Sequence, residues 1–219
     1  MHLASFCACH THRYLIWSQF PGYHAGSMLT VVIPTRESER ALVQTLAPLV
    51  SGATAGLVSE VIVADAGSTD ATAEIADLAG CRYLRTEAPA GVRLKTAATA
   101  ARAPWLLFLR PGTVPEPGWI EAIERFIGSG REAQQAAIFR RRADEFGEPG
   151  IAAALATLRA ALFGATPGPE QGLLIARRLY DRVGGHDASE DAETELLRRL
   201  GRRRIALLSA AARPAQTDT

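Results

Sequence analysis

The stretch Glu60-Val61-Ile62-Val63-Ala64-Asp65-Ala66-Gly67-Ser68-Thr69-Asp70 decides the fold. Glu60–Ala64 is a short, apolar, β-branched run of the kind that forms a buried strand. The six residues after it have turn chemistry, and Ser68, Thr69 or Asp70 can cap a helix running from about Ala71 to Leu78. Upstream, Leu29–Ile33 is a second such strand, ended by Pro34. Residues 38–50 follow it, with Ala41, Leu42, Thr45, Leu46 and Leu49 at helical spacing.

Downstream the alternation continues. Arg82–Arg85 reads as a strand, Arg93–Arg102 as a helix and Trp105–Leu109 as a fourth, wholly apolar strand. Strands alternating with helices, and apolar on both faces, predict an α/β fold with a mainly parallel sheet and helices on both faces. Ligands of such sheets bind at the carboxyl ends of the strands. The second half is less regular: a helix over 117–127, a strand at Ala136–Phe139, a turn at Gly147–Gly150 and an apolar helical stripe at Ile151, Leu155, Leu158 and Leu162. Then come a strand at Gly172–Ala176, helices at Arg177–Val183 and Ser189–Leu200, and a last strand at Arg204–Leu208. Residues from Ala211 onward are expected to be a frayed tail.

The chain has 219 residues, enough for one domain with a sizeable core, and its 47% hydrophobic and 21% charged residues are a globular composition. With 24 Lys+Arg against 23 Asp+Glu, charge gives no basis for bulk nucleic-acid binding. Ile151–Phe163 is too short to span a bilayer and contains Arg159. Three cysteines cannot build a disulfide framework, which suits a reducing compartment and a cytoplasmic setting. Residues 1–27 differ from the rest: they hold four of the five histidines and two of the three cysteines. Cys7, Cys9, His10 and His12 invite a metal reading, but the spacing is wrong for a usual structural site. An extension ahead of a domain that starts near Met28 is the preferred reading.

The chemistry gathers where two neighbouring strands end, at Pro34-Thr35-Arg36-Glu37 and at Asp65–Asp70. A carboxylate such as Asp65, fixed at a strand end, can accept from a base N–H or a ribose hydroxyl. The amides of Gly67 and Ser68, at a helix start, suit an anion. The competing reading is that Ser68, Thr69 and Asp70 serve only as turn and cap residues.

Taken in order, Leu29–Thr35, Glu60–Thr72 and Trp105–Leu109 resemble the opening of a family 2 glycosyltransferase. The likeness resumes at Glu170–Arg178, Val183-Gly184-Gly185-His186 and Glu190-Asp191, which is followed by a Leu/Arg-rich helix. Short bacterial members, with Gly where Ala66 stands, are the most similar. The resemblance implies a GT-A fold and transfer of a sugar from a nucleotide-diphosphate donor, UDP- or GDP-linked, to a hydroxyl acceptor. It implies a single domain over 28–210, with 28–128 as the nucleotide-sugar half and 129–210 as the acceptor half, and 211–219 as tail. It also implies that Thr35 and Asp65 contact the nucleoside and that Asp191, with Glu190 beside it, is the general base. A sugar hydroxyl needs such a base to become a good nucleophile. The acidic stretch Glu190–Glu195 also reads as a plain helix start.

The chain departs from the family where the family's Asp-x-Asp would hold a divalent Mg or Mn ion: Arg110-Pro111-Gly112 stands there. Glu37 replaces a family Asn, and Ala97 another. Arg110, joined by Arg93 or Lys95, is expected to hold the diphosphate in place of a metal, since guanidinium donors suit phosphate oxygens. Alternatives are a catalytically degenerate domain that binds nucleotide-sugar or a protein partner, a nucleotidyltransferase, and a purely structural module. The nucleotidyltransferase reading suffers because the loop after the first strand has no glycine. Arg140–Arg142 and Arg202–Arg204 could meet a membrane surface or a lipid-linked acceptor, and a polysaccharide acceptor fits equally.

Overall fold

The computed structural model describes residues 28–131, 134–141 and 167–214. Eight strands form one sheet: β1 (Leu29–Thr35), β2 (Val58–Asp65), β3 (Arg82–Arg85), β4 (Trp105–Phe108), β5 (Thr113–Pro115), β6 (Ala136–Arg141), β7 (Leu173–Ala176) and β8 (Ile205–Pro214), in the order β3-β2-β1-β4-β7-β6-β8-β5. The described helices are α1 (Glu39–Thr54), α2 (Thr72–Leu78), α3 (Ala90–Ala100), α4 (Trp119–Ile127), α5 (Arg177–Arg182) and α6 (Ala192–Leu200).

The first four strands pair in parallel, so Thr35 and Asp65 sit side by side at the same end of the sheet. Leu29, Val31, Val32 and Ile33 have no exposed surface, as a strand covered on both faces requires. Beyond β4 the sheet is mixed: β7 runs antiparallel to β4 and to β6, β6 and β8 are parallel, and β5 closes the edge antiparallel to β8. One sheet therefore spans both halves of the chain.

Two glycines set close approaches. A Cβ at Gly52 of α1 would lie 2.4 Å from the Trp119 ring of α4. A Cβ at Gly91, in the first turn of α3, would lie 1.8 Å from the Asp187 carbonyl oxygen and 2.6 Å from the Ala192 Cβ. The second contact seats the loop before α6 directly on α3.

Several boundaries differ from the sequence reading. α1 runs on through Pro48 to Thr54, and α3 starts at Ala90, three residues before the expected Arg93. β5 was not anticipated, because Thr113-Val114-Pro115 is short and ends in proline. The expected frayed tail is corrected at its start: β8 continues to Pro214, pairing Ala212, Arg213 and Pro214 with β5. Leu208, Ala210 and Ala212 are buried in alternation, a period of two written in residues too small to look like a core. The turn at 147–150, the stripe at 151–162 and the whole of 1–27 lie outside the described residues.

Candidate active site at the carboxyl ends of the parallel strands

Asp65 is fully buried at the end of β2 and receives five hydrogen bonds. Its Oδ1 accepts from the Thr35 hydroxyl at 2.8 Å and the Ser68 hydroxyl at 2.5 Å. Its Oδ2 accepts from the backbone N–H of Gly67 and of Ser68, both at 2.7 Å, and from the Tyr83 hydroxyl at 2.8 Å. Burial alone would raise the carboxyl; the bonds from Ser68, Thr35 and Tyr83 outweigh it and hold the group down at about 2. The same neighbourhood, burial first and then Asp65, pushes the Tyr83 phenol up to about 12.

This geometry bears on two expectations. Five donors, three of them rotatable hydroxyls, already meet the Asp65 carboxylate, so a base N–H or a ribose hydroxyl reaching it would have to share or displace one of them. The Gly67 and Ser68 amides point at Asp65 and are not free for an anion. The hexapeptide instead builds a rigid platform, with Gly67 at φ 91° making the turn.

Glu37 is likewise committed. At φ 47° it aims its carboxylate across the loop, accepting from the Thr69 N–H at 2.9 Å and the Asp70 N–H at 3.2 Å. In return its own N–H donates to the Ser68 hydroxyl at 2.8 Å. Asp70 accepts from the Glu39 N–H at 3.0 Å, and Thr72 from the Ser38 N–H at 3.0 Å. The loops after β1 and β2 are thus sewn together by reciprocal caps on α1 and α2. Arg93 faces inward from α3: its Nε donates to the Ala88 carbonyl, and its Nη1 donates to the carbonyls of Thr35 and Ala64. Burial lowers its pKa, and the nearby charges of Glu190 and Asp65 oppose that shift.

The start of α6 comes to this same rim. Glu190 accepts from the Ala90 N–H at 3.2 Å and the Ser189 carbonyl accepts from the Gly91 N–H at 3.0 Å, so the loop caps α3. One turn further, Glu193 reaches the end of β4 and accepts from Arg110 Nε at 2.7 Å. The Glu193 side chain is 14% exposed and that of Arg110 is 42% exposed. Burial pushes the Glu193 carboxyl up, and Arg110 pulls it part of the way back. Asp191, the N-cap residue of α6, is exposed and makes no side-chain cap bond.

The structure therefore brings Thr35, Glu37, Asp65, Gly67, Ser68 and Arg93 together on one platform, and Glu190, Asp191 and Arg110 along its rim. Lys95 is not with them: two residues past Arg93, about 200° round the helix, it is exposed and faces His186 and Asp187. Sequence reasoning missed Glu193 and Tyr83. The spacing of Glu193, three residues after Glu190 on a helix, was the available signal for the first. Nothing local marked Tyr83, whose role depends on β3 lying beside β2 in register.

A divalent ion at the end of β4 does not fit these residues. The strand ends in a guanidinium that repels a cation, its carboxylate neighbour Glu193 is paired to that guanidinium, and Asp65 already meets five donors. Among the described residues no three His, Cys, Asp or Glu side chains are grouped to hold a metal.

The sequence profile of "Glycosyl transferase family 2" matches residues 30–168. Among solved structures, glucosyl-3-phosphoglycerate synthase from Mycobacterium tuberculosis, in complex with Mn2+, UDP and glucosyl-3-phosphoglycerate, aligns with a TM-score of 0.61 at 23% identity, over 96% of this chain and 79% of that one. The same enzyme with Mn2+ and UDP-glucose gives 0.61 at 23% identity, over 100% and 78%. TarS 1–349 from S. aureus gives 0.64 at 16% identity, over 86% of this chain and 60% of that one. No curated protein matches the chain.

Proposed function

Since the chain belongs to glycosyl transferase family 2, a family of sugar-transferring enzymes with the GT-A fold, we propose that it transfers a sugar from a UDP- or GDP-linked donor to a hydroxyl acceptor at the rim of its parallel strands. The observation that carries this reading is the docking of α6: Glu190 and Glu193 are anchored to α3 and β4, while Asp191 between them is exposed and its side chain makes no cap bond. A carboxylate fixed in place by its neighbours but itself uncommitted is what a general base requires.

In this proposal Asp191 takes the proton from the acceptor hydroxyl as that oxygen forms its bond to the anomeric carbon. The bond from that carbon to the diphosphate oxygen breaks, and the nucleoside diphosphate leaves with the electron pair. Arg110 supplies the positive charge that meets the departing diphosphate. Its Nε is held by Glu193, which leaves the two terminal nitrogens of the fork to face phosphate oxygens. Thr35, Glu37, Asp65, Gly67 and Ser68 shape the floor under the donor, and Arg93 ties the ends of β1 and β2 beneath it. Glu190 positions the base. No metal is assigned at β4, and residues 28–128 form the donor half with 129–210 as the acceptor half.

The acceptor is a lipid-linked or polysaccharide hydroxyl in this reading, approached from the cytoplasmic side. Among the described residues no helix is long and apolar enough to cross a membrane. Calorimetric titration of UDP- and GDP-sugars, in chelator and again with manganese, tests the proposal. Binding in chelator that is unchanged by manganese and lost in Arg110→Ala supports it. Binding that needs manganese, or that survives Arg110→Ala unchanged, overturns the arginine site. With donor binding established, Asp191→Asn is expected to retain it and to lose transfer.

A further inference from the structure

The arginine triplet Arg202–Arg204 folds into a single 3-10 turn between α6 and β8. Arg203 and Arg204 line a cavity of about 360 Å³ together with Leu179 and Arg182 of α5, of which Arg182 is the last residue. Gln134 and Gln135, just ahead of β6, complete the lining. None of the described residues that line it is acidic or aromatic. The volume is in the range of small-molecule sites.

Strand register places this cavity at the end of the sheet opposite the donor crevice. β7 runs antiparallel to β4 with Ala176 beside Trp105, so α5, which follows β7 directly, starts where β4 starts. β6 pairs with β7 through Ala137 and Leu174, and β6 and β8 run parallel with Ala136 beside Ile205. The residues just ahead of β6 and β8 therefore lie together at that same end. Arg110 lies past the other end of β4. A phosphate held among Arg182, Arg203 and Arg204 is not the diphosphate of a donor at Arg110, and the inference does not depend on transfer at Asp191.

Three guanidinium groups from two separate segments share this hollow. Like charges around one space repel, and an anion between them turns that repulsion into attraction. The backbone groups that would oppose an anion are already answered. The end of a helix carries negative partial charge on its last carbonyls. In α5 the carbonyls of Leu179, Tyr180 and Asp181 accept from the N–H groups of Val183, Gly185 and Gly184, at 3.0, 2.9 and 3.0 Å. The charge and shape of the hollow select among anions. A lone carboxylate brings one charge and two oxygens, enough for one guanidinium fork. A phosphate brings more oxygens and up to two charges, so it can meet several forks together. With no aromatic side chain in the described lining, there is no platform on which a nucleotide base would stack.

We propose that the cavity lined by Arg182, Arg203 and Arg204 binds a phosphate group at a site separate from the donor crevice. The phosphate is presented either free in solution or as a phosphomonoester lipid headgroup, and its oxygens accept from the guanidinium forks.

Calorimetric titration of the full chain with inorganic phosphate is expected to show saturable binding that weakens as salt rises. Arg203 and Arg204 are exposed, so replacing both by glutamine leaves the fold in place, which thermal unfolding without phosphate checks. Arg203→Gln with Arg204→Gln should weaken phosphate by about tenfold or more. Arg110→Ala, at the other end of the sheet, should leave that binding in place. Sedimentation with phosphatidylcholine vesicles that contain phosphatidic acid identifies the source. Capture that the double glutamine variant loses assigns the lipid headgroup; phosphate binding without capture assigns a soluble phosphate, and either result supports the site. The proposal is overturned if inorganic phosphate does not bind, whether or not vesicles capture the chain. It is equally overturned if the double glutamine variant binds phosphate as the parent does, or if Arg110→Ala alone abolishes the binding.

Discussion

Replacing Asp65 by asparagine separates charge from shape at the end of β2. Five donors converge on this carboxylate at 2.5–2.8 Å. Its folded pKa is about 2, against the ordinary 3.8. A gap of about two units favours the ionised form in the folded state by about 2 kcal/mol. An asparagine can place its oxygen where Oδ2 stands, keeping the Gly67 and Ser68 amides, and turn its NH2 toward the Thr35 and Ser68 hydroxyls, which rotate to accept. The variant then resembles the protonated acid, and its cost at pH 7 is expected to be about 2 kcal/mol. Because the folded pKa lies below the unfolded one, the stabilisation is complete above the unfolded value and is lost as pH falls through the folded one. The difference between parent and variant should therefore shrink to about 1 kcal/mol at pH 3 and close toward zero by about pH 2. Urea unfolding followed through the buried Trp105 and Trp119 measures it at each pH. A gap below about half a kcal/mol at pH 7, or one that is as large at pH 3 as at pH 7, would refute the argument.

Tyr83→Phe removes one of the five bonds and leaves no buried donor behind; it should cost about 1–2 kcal/mol at pH 7 and raise the pH of acid unfolding, read from the same urea series. Gly91→Ala gains helix propensity but drives a methyl to within 1.8 Å of the Asp187 carbonyl, so the loop before α6 must shift. The expected net loss is about 1–3 kcal/mol in thermal unfolding, and an unchanged midpoint would contradict the close seating of that loop. Glu193→Gln keeps an acceptor for Arg110 Nε but removes a negative charge from the end of β4. UDP should then bind about fivefold tighter at low salt, with the gain shrinking as salt rises; equal affinities at both salts would count against Arg110 as a phosphate ligand.

The parallel half of the fold was legible because β1, β2 and β4 carry continuous apolar runs and the turns carry Gly, Ser, Thr and Asp where chemistry demands them. β1, β2, β3 and β4 fall where hydrophobic pattern places them, and Arg82–Arg85 matches to the residue. β8 was read short because Ala210-Ala211-Ala212 alternates in burial without the bulk or polarity contrast that marks a strand in sequence. At the site, residue types were readable and their commitments were not. Asp65, Glu37 and Arg93 have the chemistry of ligand contacts, yet Glu37 and Arg93 turn to backbone groups about 29 to 58 positions away in sequence, and Asp65 turns to the two amides that follow it and to the hydroxyls of Thr35, Ser68 and Tyr83. Sequence shows which groups can bond; only the register of β1 beside β2 decides that they bond to one another.

The pairing of Arg110 with Glu193 alters the electrostatic account of this strand end. Taken alone, Arg110 puts one positive charge where the family places two carboxylates and a divalent ion, an arrangement of about zero net charge. With Glu193 bound at 2.7 Å, the strand end returns to zero. The two arrangements therefore match in net charge and differ in how the charge is distributed, since the guanidinium presents two directed N–H forks and a metal presents open coordination positions. The carboxyl of Glu193 is raised by burial, so it holds its proton at a higher pH than an ordinary glutamate. As pH falls through that raised value, Glu193 becomes neutral while Arg110 stays charged, and the strand end gains one positive charge. If Arg110 meets the diphosphate, affinity for UDP should rise as pH falls through the Glu193 titration, above the range where the carboxylates of a metal site would begin to lose their ion. A metal-bound donor would show the opposite slope, because protonation strips ligands from the ion. UDP titrations across that interval, in chelator and again with manganese, distinguish the two: binding in chelator that strengthens as pH falls supports the arginine site, and a falling affinity there would remove Arg110 from the diphosphate site.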